Sequence, residues 1–235
     1  MQDFAASFSL AFSLIFSADP ELAEIVLLSL KVSLSATLAA SAIGMSLGAA
    51  IAIFRFPGRG AILVIANAMM GLPPVVVGLA IYMLLSNAGP LGGFGLLYSP
   101  TAMIIAQTVL VTPIATALTR QVIADLHGEY DEQLRSLALG PVDTLTTLLW
   151  DARFSLITVA LAGFGRAIAE VGAVIIVGGN INHVTRVMTT AIALETSKGD
   201  LALALALGLI LIGISIAVNA ALMALKGTAR RFAYE

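Results

Sequence analysis

The sequence predicts an all-α integral membrane protein, and three observations carry that prediction. Hydrophobic residues make up 59% of the 235 residues and charged residues 11%, against roughly a quarter charged in soluble domains. Beyond Pro20, five apolar runs reach the ~20 residues that a helix needs to cross a bilayer. Lys and Arg gather mainly in alternate connections between those runs, as retention of basic residues on the cytoplasmic side requires.

The same composition excludes several functions. There is no Cys, so disulfides, thiolate metal sites and a cysteine nucleophile are ruled out. His127 and His183 lie far apart in different connections, and no metal site is expected. A formal net charge of −2 with no basic run gives no footprint for nucleic acid. No Gly-rich phosphate loop is present, so the chain itself is not expected to hydrolyse a nucleotide.

Residues 1–20, "MQDFAASFSLAFSLIFSADP", carry Asp3 where a cleavable leader would be basic. The apolar run Phe4–Phe16 is too short to span. It reads as an N-terminal apolar helix lying at the interface. Five spans follow, over about Glu24–Phe54, Ala61–Ser86, Thr101–Ala124, Phe154–Val177 and Leu201–Leu225. The first is overlong and is expected to tilt, and Lys31 within it reads as snorkelling to the headgroups.

Charges in the connections orient these spans. "RFPGRG", with Arg55 and Arg59, reads as inside, and the uncharged "NAGPLGGFGLLYSP" as outside. The third connection, with Arg120, Arg135 and Arg153, reads as inside. Arg186 and Lys198 in the fourth are a mild conflict with its outside placement. Lys226, Arg230 and Arg231 put the tail inside, and the acidic flank Asp19, Glu21 and Glu24 puts the N-terminus outside. The expected organisation is therefore an interfacial segment 1–20, a transmembrane domain 21–228 with a cytoplasmic loop 125–153, and a cytoplasmic tail 229–235.

Within the spans, "GLPPVVVGLAIY" places Pro73 and Pro74 ahead of Gly78, where missing donors should break the helix. "TPIAT" puts Pro113 in the third span, with Thr112 and its neighbours able to cap freed carbonyls. Such breaks serve either packing or the lining of a path through the membrane. In "GFGRAIAEVGA", Arg166 and Glu170 are four apart and are expected on one helix face, as a neutralising pair or as part of a gate or an oxyanion route. Gly163, Gly165 and Gly172 would admit a close neighbour, and Gly44 with Gly48 reads as ordinary GxxxG helix packing. Val187–Thr196 reads as a surface or re-entrant helix.

The cytoplasmic loop opens with "DLHGEYDEQLRSLALGP", where Tyr130, Leu134 and Leu137 recur at i, i+4 and i+7. Gly140 and Pro141 are expected to stop this helix. A second amphipathic stretch, "VDTLTTLLWDAR", follows. The apolar stripe needs cover, either from a docked partner or from the chain itself.

Taken in order, "LLSLKVSLSATLAASAIGMSLG", "LPPVVVG", the cytoplasmic loop, "RAIAEVGAVIIVGGNI" and "TRVMTTAI" resemble the permease subunit of ABC importers for the oxyanions molybdate, sulfate and tungstate. The run "GLPPVVVGLAIYMLLSNAGPLG" with "LLYSPTAMIIAQTVLVTPI" is most similar to the tungstate branch. The family's Glu-Ala-Ala loop signature is degenerate here. Aligned on Gly140, Leu134, Arg135 and Ser136 stand in its place, the acidic residues move to Glu129, Asp131 and Glu132, and "WDAR" replaces the closing Ile-x-Leu-Pro.

The resemblance implies a five-span, MetI-like, type I importer fold with N outside and C cytoplasmic, in the inner membrane of a bacterium or archaeon. It implies a homodimer with two cytoplasmic ATPases and an extracytoplasmic oxyanion-binding protein. ATP and Mg²⁺ would sit on the ATPases and no cofactor on this chain. Glu129, Tyr130, Leu134, Arg135, Ser136, Leu137, Ala138 and Gly140 would couple to the ATPase. Pro73, Pro74, Gly78, Thr112, Pro113, Arg166, Glu170 and Gly172 would line or gate the path, which opens by alternating access. Molybdate and sulfate are the alternative cargoes. A secondary transporter would show inverted repeats and midplane ion ligands, and an intramembrane enzyme a nucleophile with its base or metal; neither pattern is evident.

Overall fold

A computed structural model describes residues 4–17 and 19–232, and every regular element among them is helical. The expectation for the tail 229–235 falls partly outside the described residues, as does Asp3. Eleven α-helices follow in order: α1 Phe4–Phe16, α2 Pro20–Ile53, α3 Arg59–Met70, α4 Pro74–Leu85, α5 Pro100–Glu129, α6 Asp131–Ser136, α7 Pro141–Asp151, α8 Arg153–Ile168, α9 Gly172–Gly178, α10 Met188–Lys198 and α11 Leu201–Phe232. Among the described residues, α2, α5 and Leu201–Ala221 are long and apolar enough to cross a membrane. The number rises to as many as five if two broken pairs, α3 with α4 and α7 with α8, each count as one crossing.

Local chemistry explains where these helices begin and end. Asp19 Oδ1 accepts hydrogen bonds from the backbone N–H groups of Glu21 and Leu22, at 3.0 and 3.1 Å, so α2 starts at Pro20 rather than near Glu24. Between α3 and α4, Pro73 is extended (φ −63°, ψ 123°) and Pro74 takes the first helical position, where its missing donor costs nothing. The third span runs on to Glu129 instead of ending near Ala124. The expected fourth span is interrupted: α8 stops at Ile168 and the chain resumes as α9 at Gly172.

The chain divides into two compact units. Unit 1 comprises Met1–Ala36, Pro73–Gln107 and Ala167–Asn219. Its α4 and α9 pack so closely that a Cβ on Gly78 would lie 2.7 Å from Ala173 Cα, and one on Gly172 2.9 Å from Val75 Cγ2. Here α1 buries Ser7 and Ala11 while leaving Phe12 and Phe16 exposed, so one side of this short apolar helix is packed and the other is not.

Unit 2 comprises Thr37–Leu72, Thr108–Arg166 and Ala220–Glu235. Its organising contact is α2 on α5. A Cβ on Gly44 would meet Thr112 O at 2.8 Å and Ala115 Cβ at 2.7 Å, and one on Gly48 would meet Thr116 O and, at 3.0 Å, Arg120 N. The helix-packing reading of Gly44 and Gly48 is therefore correct. Both residue numbers rise together along the contact, so the two helices run parallel. A core of Ala49, Ala52, Ile123, Leu134, Leu148 and Ala152 closes the end of this unit.

Candidate functional site

The stretch that stood out in the sequence is split between two helices. Asp125–Glu129 is the last turn of α5, and α6 covers only Asp131–Ser136. Termination falls at Ala138, which adopts the left-handed conformation (φ 49°). There Ala138 N donates to Arg135 O and Leu139 N donates to Leu134 O, at 3.0 and 3.3 Å. Gly140 and Pro141 do not stop α6, as the sequence suggested. Gly140 is extended (φ −69°, ψ 164°) and caps α7, with Pro141 in its first turn. The chemistry of Gly-Pro is the same in both readings, and only the helix it serves differs.

The apolar stripe is likewise divided. Leu134 is buried in the unit 2 core and Tyr130 packs against it. Asp151, ahead of burial and Glu129, pushes the Tyr130 phenol above its ordinary pKa. Leu137 points outward, 68% exposed, and so do Val142 at 63% and Trp150 at 70%. The Arg153 guanidinium lies 5.0 Å from the Trp150 ring centroid. Around them Arg135 pairs with Asp131 at 3.0 Å in solvent. Of the coupling candidates, Tyr130 and Leu134 hold the loop together, whereas Glu129, Arg135, Ser136, Leu137 and Ala138 are exposed. Composition alone did not single out Leu139, Val142 and Trp150 as further exposed apolar groups of this loop.

In unit 1 the link that leads from α8 into α9 forms the second candidate feature. Glu170 sits in the link between α8 and α9 and is 6% exposed. Its backbone oxygen accepts from Thr189 Oγ1 at 2.8 Å, and its carboxylate Oε1 accepts from the Ala173 backbone N–H at 3.2 Å. Gln107 Nε2 donates to Ala167 O at 3.0 Å. Arg166 lies in the last turn of α8, so Arg166 and Glu170 do not share one continuous helix face, contrary to the i, i+4 expectation. Non-helical backbone buried away from water must find partners inside the protein, and Thr189, Gln107 and the Glu170 carboxylate supply them. Gly172 approaches Val75 closely, while a Cβ on Gly165 would meet open space, so only some of the glycines in this motif admit a neighbour.

The segment after α9 is stitched in the same way. Thr185 Oγ1 donates to Gly178 O at 2.6 Å and accepts from Ile181 N at 2.9 Å. Met188 N donates to Ser29 Oγ at 2.8 Å. The helix α10 buries Met188, Thr189, Thr190, Ala191 and Glu195, so it is a packed element rather than a surface one. Arg186 lies 3.6 Å from Glu21 and 3.9 Å from Glu195, and Lys198 is 2.9 Å from Glu195. Each of the two basic residues that conflicted with the charge rule therefore has an acidic partner. His183 Nδ1 meets Glu24 Oε2 at 2.7 Å, which puts the acidic flank before α2 beside the 181–186 segment. The sequence reading missed Gln107, Thr189 and Glu195; a lone amide or acid in an apolar neighbourhood was the available signal.

In unit 2, Pro113 lies inside α5 without ending it. Thr112 Oγ1 donates to Thr108 O at 2.7 Å and Thr116 Oγ1 to Thr112 O at 2.8 Å. These hydroxyls therefore reinforce the turns on either side of Pro113 and leave alone Val109 O, the carbonyl a donor at position 113 would have reached.

Comparison with known proteins agrees with this architecture. The binding-protein-dependent transport system inner membrane component family matches residues 40–230. The tungstate uptake system permease protein TupB of Peptoclostridium acidaminophilum is 40% identical over 226 residues, covering 96% of this chain and 99% of that protein. TupB of Campylobacter jejuni is 42% identical over 149 residues, 63% of this chain and 62% of the relative. The molybdenum transport system permease protein ModB of Azotobacter vinelandii is more distant, 28% identical over 142 residues, 57% of this chain and 63% of its own. The chain, helical throughout its described elements and rich in apolar spans, belongs to the family of binding-protein-dependent transport system inner membrane components.

Proposed function

We infer that this chain is the transmembrane permease subunit of an ATP-driven, binding-protein-dependent importer, and that it forms the translocation pathway for an oxyanion, tungstate. The observation that carries this reading is the 40% identity to a tungstate uptake permease across nearly the full length of both chains. Molybdate stands second, because the molybdenum permease relative matches at lower identity and over a shorter stretch.

In this reading the chain crosses the cytoplasmic membrane of a bacterium or archaeon five times, N outside and C inside, with residues 1–20 at the interface, 21–228 as the transmembrane domain and 229–235 as a cytoplasmic tail. The parallel course of α2 and α5 supports an odd number of crossings up to α5, and the Glu24–His183 and Glu21–Arg186 contacts support a common side for the acidic flank and the 181–186 segment. Two copies pair, and each presents its 125–153 loop to one ATPase, which holds ATP and Mg²⁺. Leu137 and the exposed charges Glu129 and Arg135 meet the ATPase, with Val142 and Trp150 alongside. Tyr130, Leu134 and Gly140 set the shape of that surface.

The breaks at Pro73–Pro74 and at Glu170–Gly172, with Pro113 in α5, are the places where the path opens and closes. A binding protein outside delivers the oxyanion, so the path itself needs little charge. Reconstitution of the permease with its ATPase and binding protein in proteoliposomes tests the reading by metal analysis of the lumen. ATP-dependent accumulation of tungstate in excess of molybdate and sulfate is expected. Accumulation of molybdate in preference selects the second reading, and no ATP-dependent uptake of any oxyanion overturns both.

A further inference from the structure

Tyr98 sits where a side chain is costly. Its φ of 59° is left-handed, a conformation that Asn, Asp and His visit readily and a bulky Tyr does not. Glycine serves the same need three residues earlier, at Gly95, also with φ 59°. A bulky side chain persists in such backbone only where its surroundings over-determine it. What Tyr98 adds to the turn therefore lies in what it touches.

Within unit 1, Tyr98 joins α4 to α9. Its backbone N–H donates to Val177 O, in the last turn of α9, at 2.9 Å. Its ring covers Gly179, where a Cβ would lie 2.8 Å from Tyr98 Cδ1. The ring also meets Tyr82 of α4 edge to face, with centroids 6.4 Å apart and planes at 61°. On the other side Ser99 Oγ accepts from Ala102 N at 3.3 Å, which ties the next residue to the first turn of α5.

The position of this contact along the two helices gives it a role. Val75 meets Gly172, and a Cβ on Gly78 would lie 2.7 Å from Ala173 Cα. Further along α4, Tyr82 is bridged to Val177 and Gly179 by Tyr98. Residue numbers rise together on both sides, so α4 and α9 run parallel. Both helices thus leave their breaks, at Pro73 and at 169–171, in one direction. The glycine contacts hold the pair near the breaks, and Tyr98 holds it about 10 Å further on, the helical rise from Val75 to Tyr82. Two helices fastened at one end alone can splay at the other.

We propose that Tyr98 is a positioning residue of the transport cycle, clamping α4 to α9 so that the helices after the two breaks swing as one body. Transport then has one moving part here instead of two, and the break before α4 cannot open while the break before α9 stays closed. The proposal rests on the reading that these breaks are where the path opens, and it adds the side chain that ties them together.

The chain has no Cys, so paired cysteines carry nitroxide labels without background. Met83 on α4, Ile175 on α9 and Val64 on α3 are exposed, so labels there leave the packed faces intact. Dipolar electron paramagnetic resonance is recorded on the importer reassembled with its ATPase and binding protein, at rest and trapped with ATP and vanadate. Labelled chains are diluted in unlabelled ones. The Val64–Met83 distance should change between the two states, and the Met83–Ile175 distance should not. Tyr98→Gly keeps the left-handed turn and its N–H but removes the ring. It should broaden the Met83–Ile175 distances and lower tungstate uptake per ATP hydrolysed about fivefold, the size of effect that one residue on a coupling route carries. Continued ATP hydrolysis reports that the complex is still assembled. Tyr98→Phe, which keeps the ring, should match the chain with Tyr98 in both measurements. A Met83–Ile175 distance that changes with state while Tyr98 is in place overturns the proposal. So does full uptake per ATP in Tyr98→Gly, or a loss of the same size in Tyr98→Phe. A Val64–Met83 distance that stays constant during active uptake overturns the reading beneath, and the proposal with it.

Discussion

Two irregular regions solve the same problem in opposite ways. In unit 1, the link around Glu170 and the segment 178–190 leave helical geometry and are held by buried side-chain donors and acceptors, Gln107, Thr185, Thr189 and Ser29 among them. In unit 2, the loop from Tyr130 to Arg153 breaks into the two short helices α6 and α7, yet its charged groups remain exposed and its order comes from Leu134 and Leu148 in a small apolar core. The difference follows from what surrounds each backbone. Where water is scarce every freed carbonyl needs a donor from the protein, and where water is plentiful the chain needs only a hydrophobic anchor. The first region should thus tolerate no loss of polar atoms, and the second no gain of them.

That contrast can be broken by substitution, and unfolding in mixed micelles is the common measurement. The largest effect is expected for Leu134→Asp, which places a charge in the unit 2 core and should cost about 4 kcal/mol; Leu137→Asp, three residues on and exposed, should leave stability unchanged and instead abolish co-purification of the ATPase. Next comes Arg186→Leu, which leaves the buried Glu195 with only the half-exposed Lys198 and should cost about 3 kcal/mol. Thr189→Val removes the donor to Glu170 O at nearly constant volume, for an expected loss of about 1–2 kcal/mol. Arg135→Ala, which breaks a solvent-exposed i, i+4 pair, should shift stability by no more than about 0.5 kcal/mol. A loss at Arg135 as large as the loss at Thr189 would erase the distinction between the two regions.

Much of this was legible in the residues. The apolar spans and the proline-marked break before α4 follow from composition and from the missing donors at Pro73 and Pro74. The Gly44–Gly48 contact follows from spacing. The break at Glu170 was hidden because "RAIAEVGA" contains no proline and has good helix propensity throughout its first half. Tertiary hydrogen bonds from Thr189 and Gln107, distant in sequence, make the interruption there affordable. The loop was misread for a different reason. A stripe at Tyr130, Leu134 and Leu137 looks continuous on a helical wheel, but only its first part is covered: Leu134 enters the core with Tyr130 packed against it, while Leu137, at the end of α6, stays exposed. A Gly-Pro pair is equally at home after one helix or before the next, so only the structure could assign it to α7.

Gly48 has one more consequence. The missing side chain lets α2 rest on the α5 backbone at Thr116 and Arg120, one and two turns past the bend-prone Pro113. A lever works without backlash only when its bearings leave no free play, and this bearing leaves none. Any displacement of the arm of α5 beyond Pro113, with the loop attached to its end, is handed to α2 at once, so in the proposed topology a push received at the loop would become motion of two helices rather than slack in one.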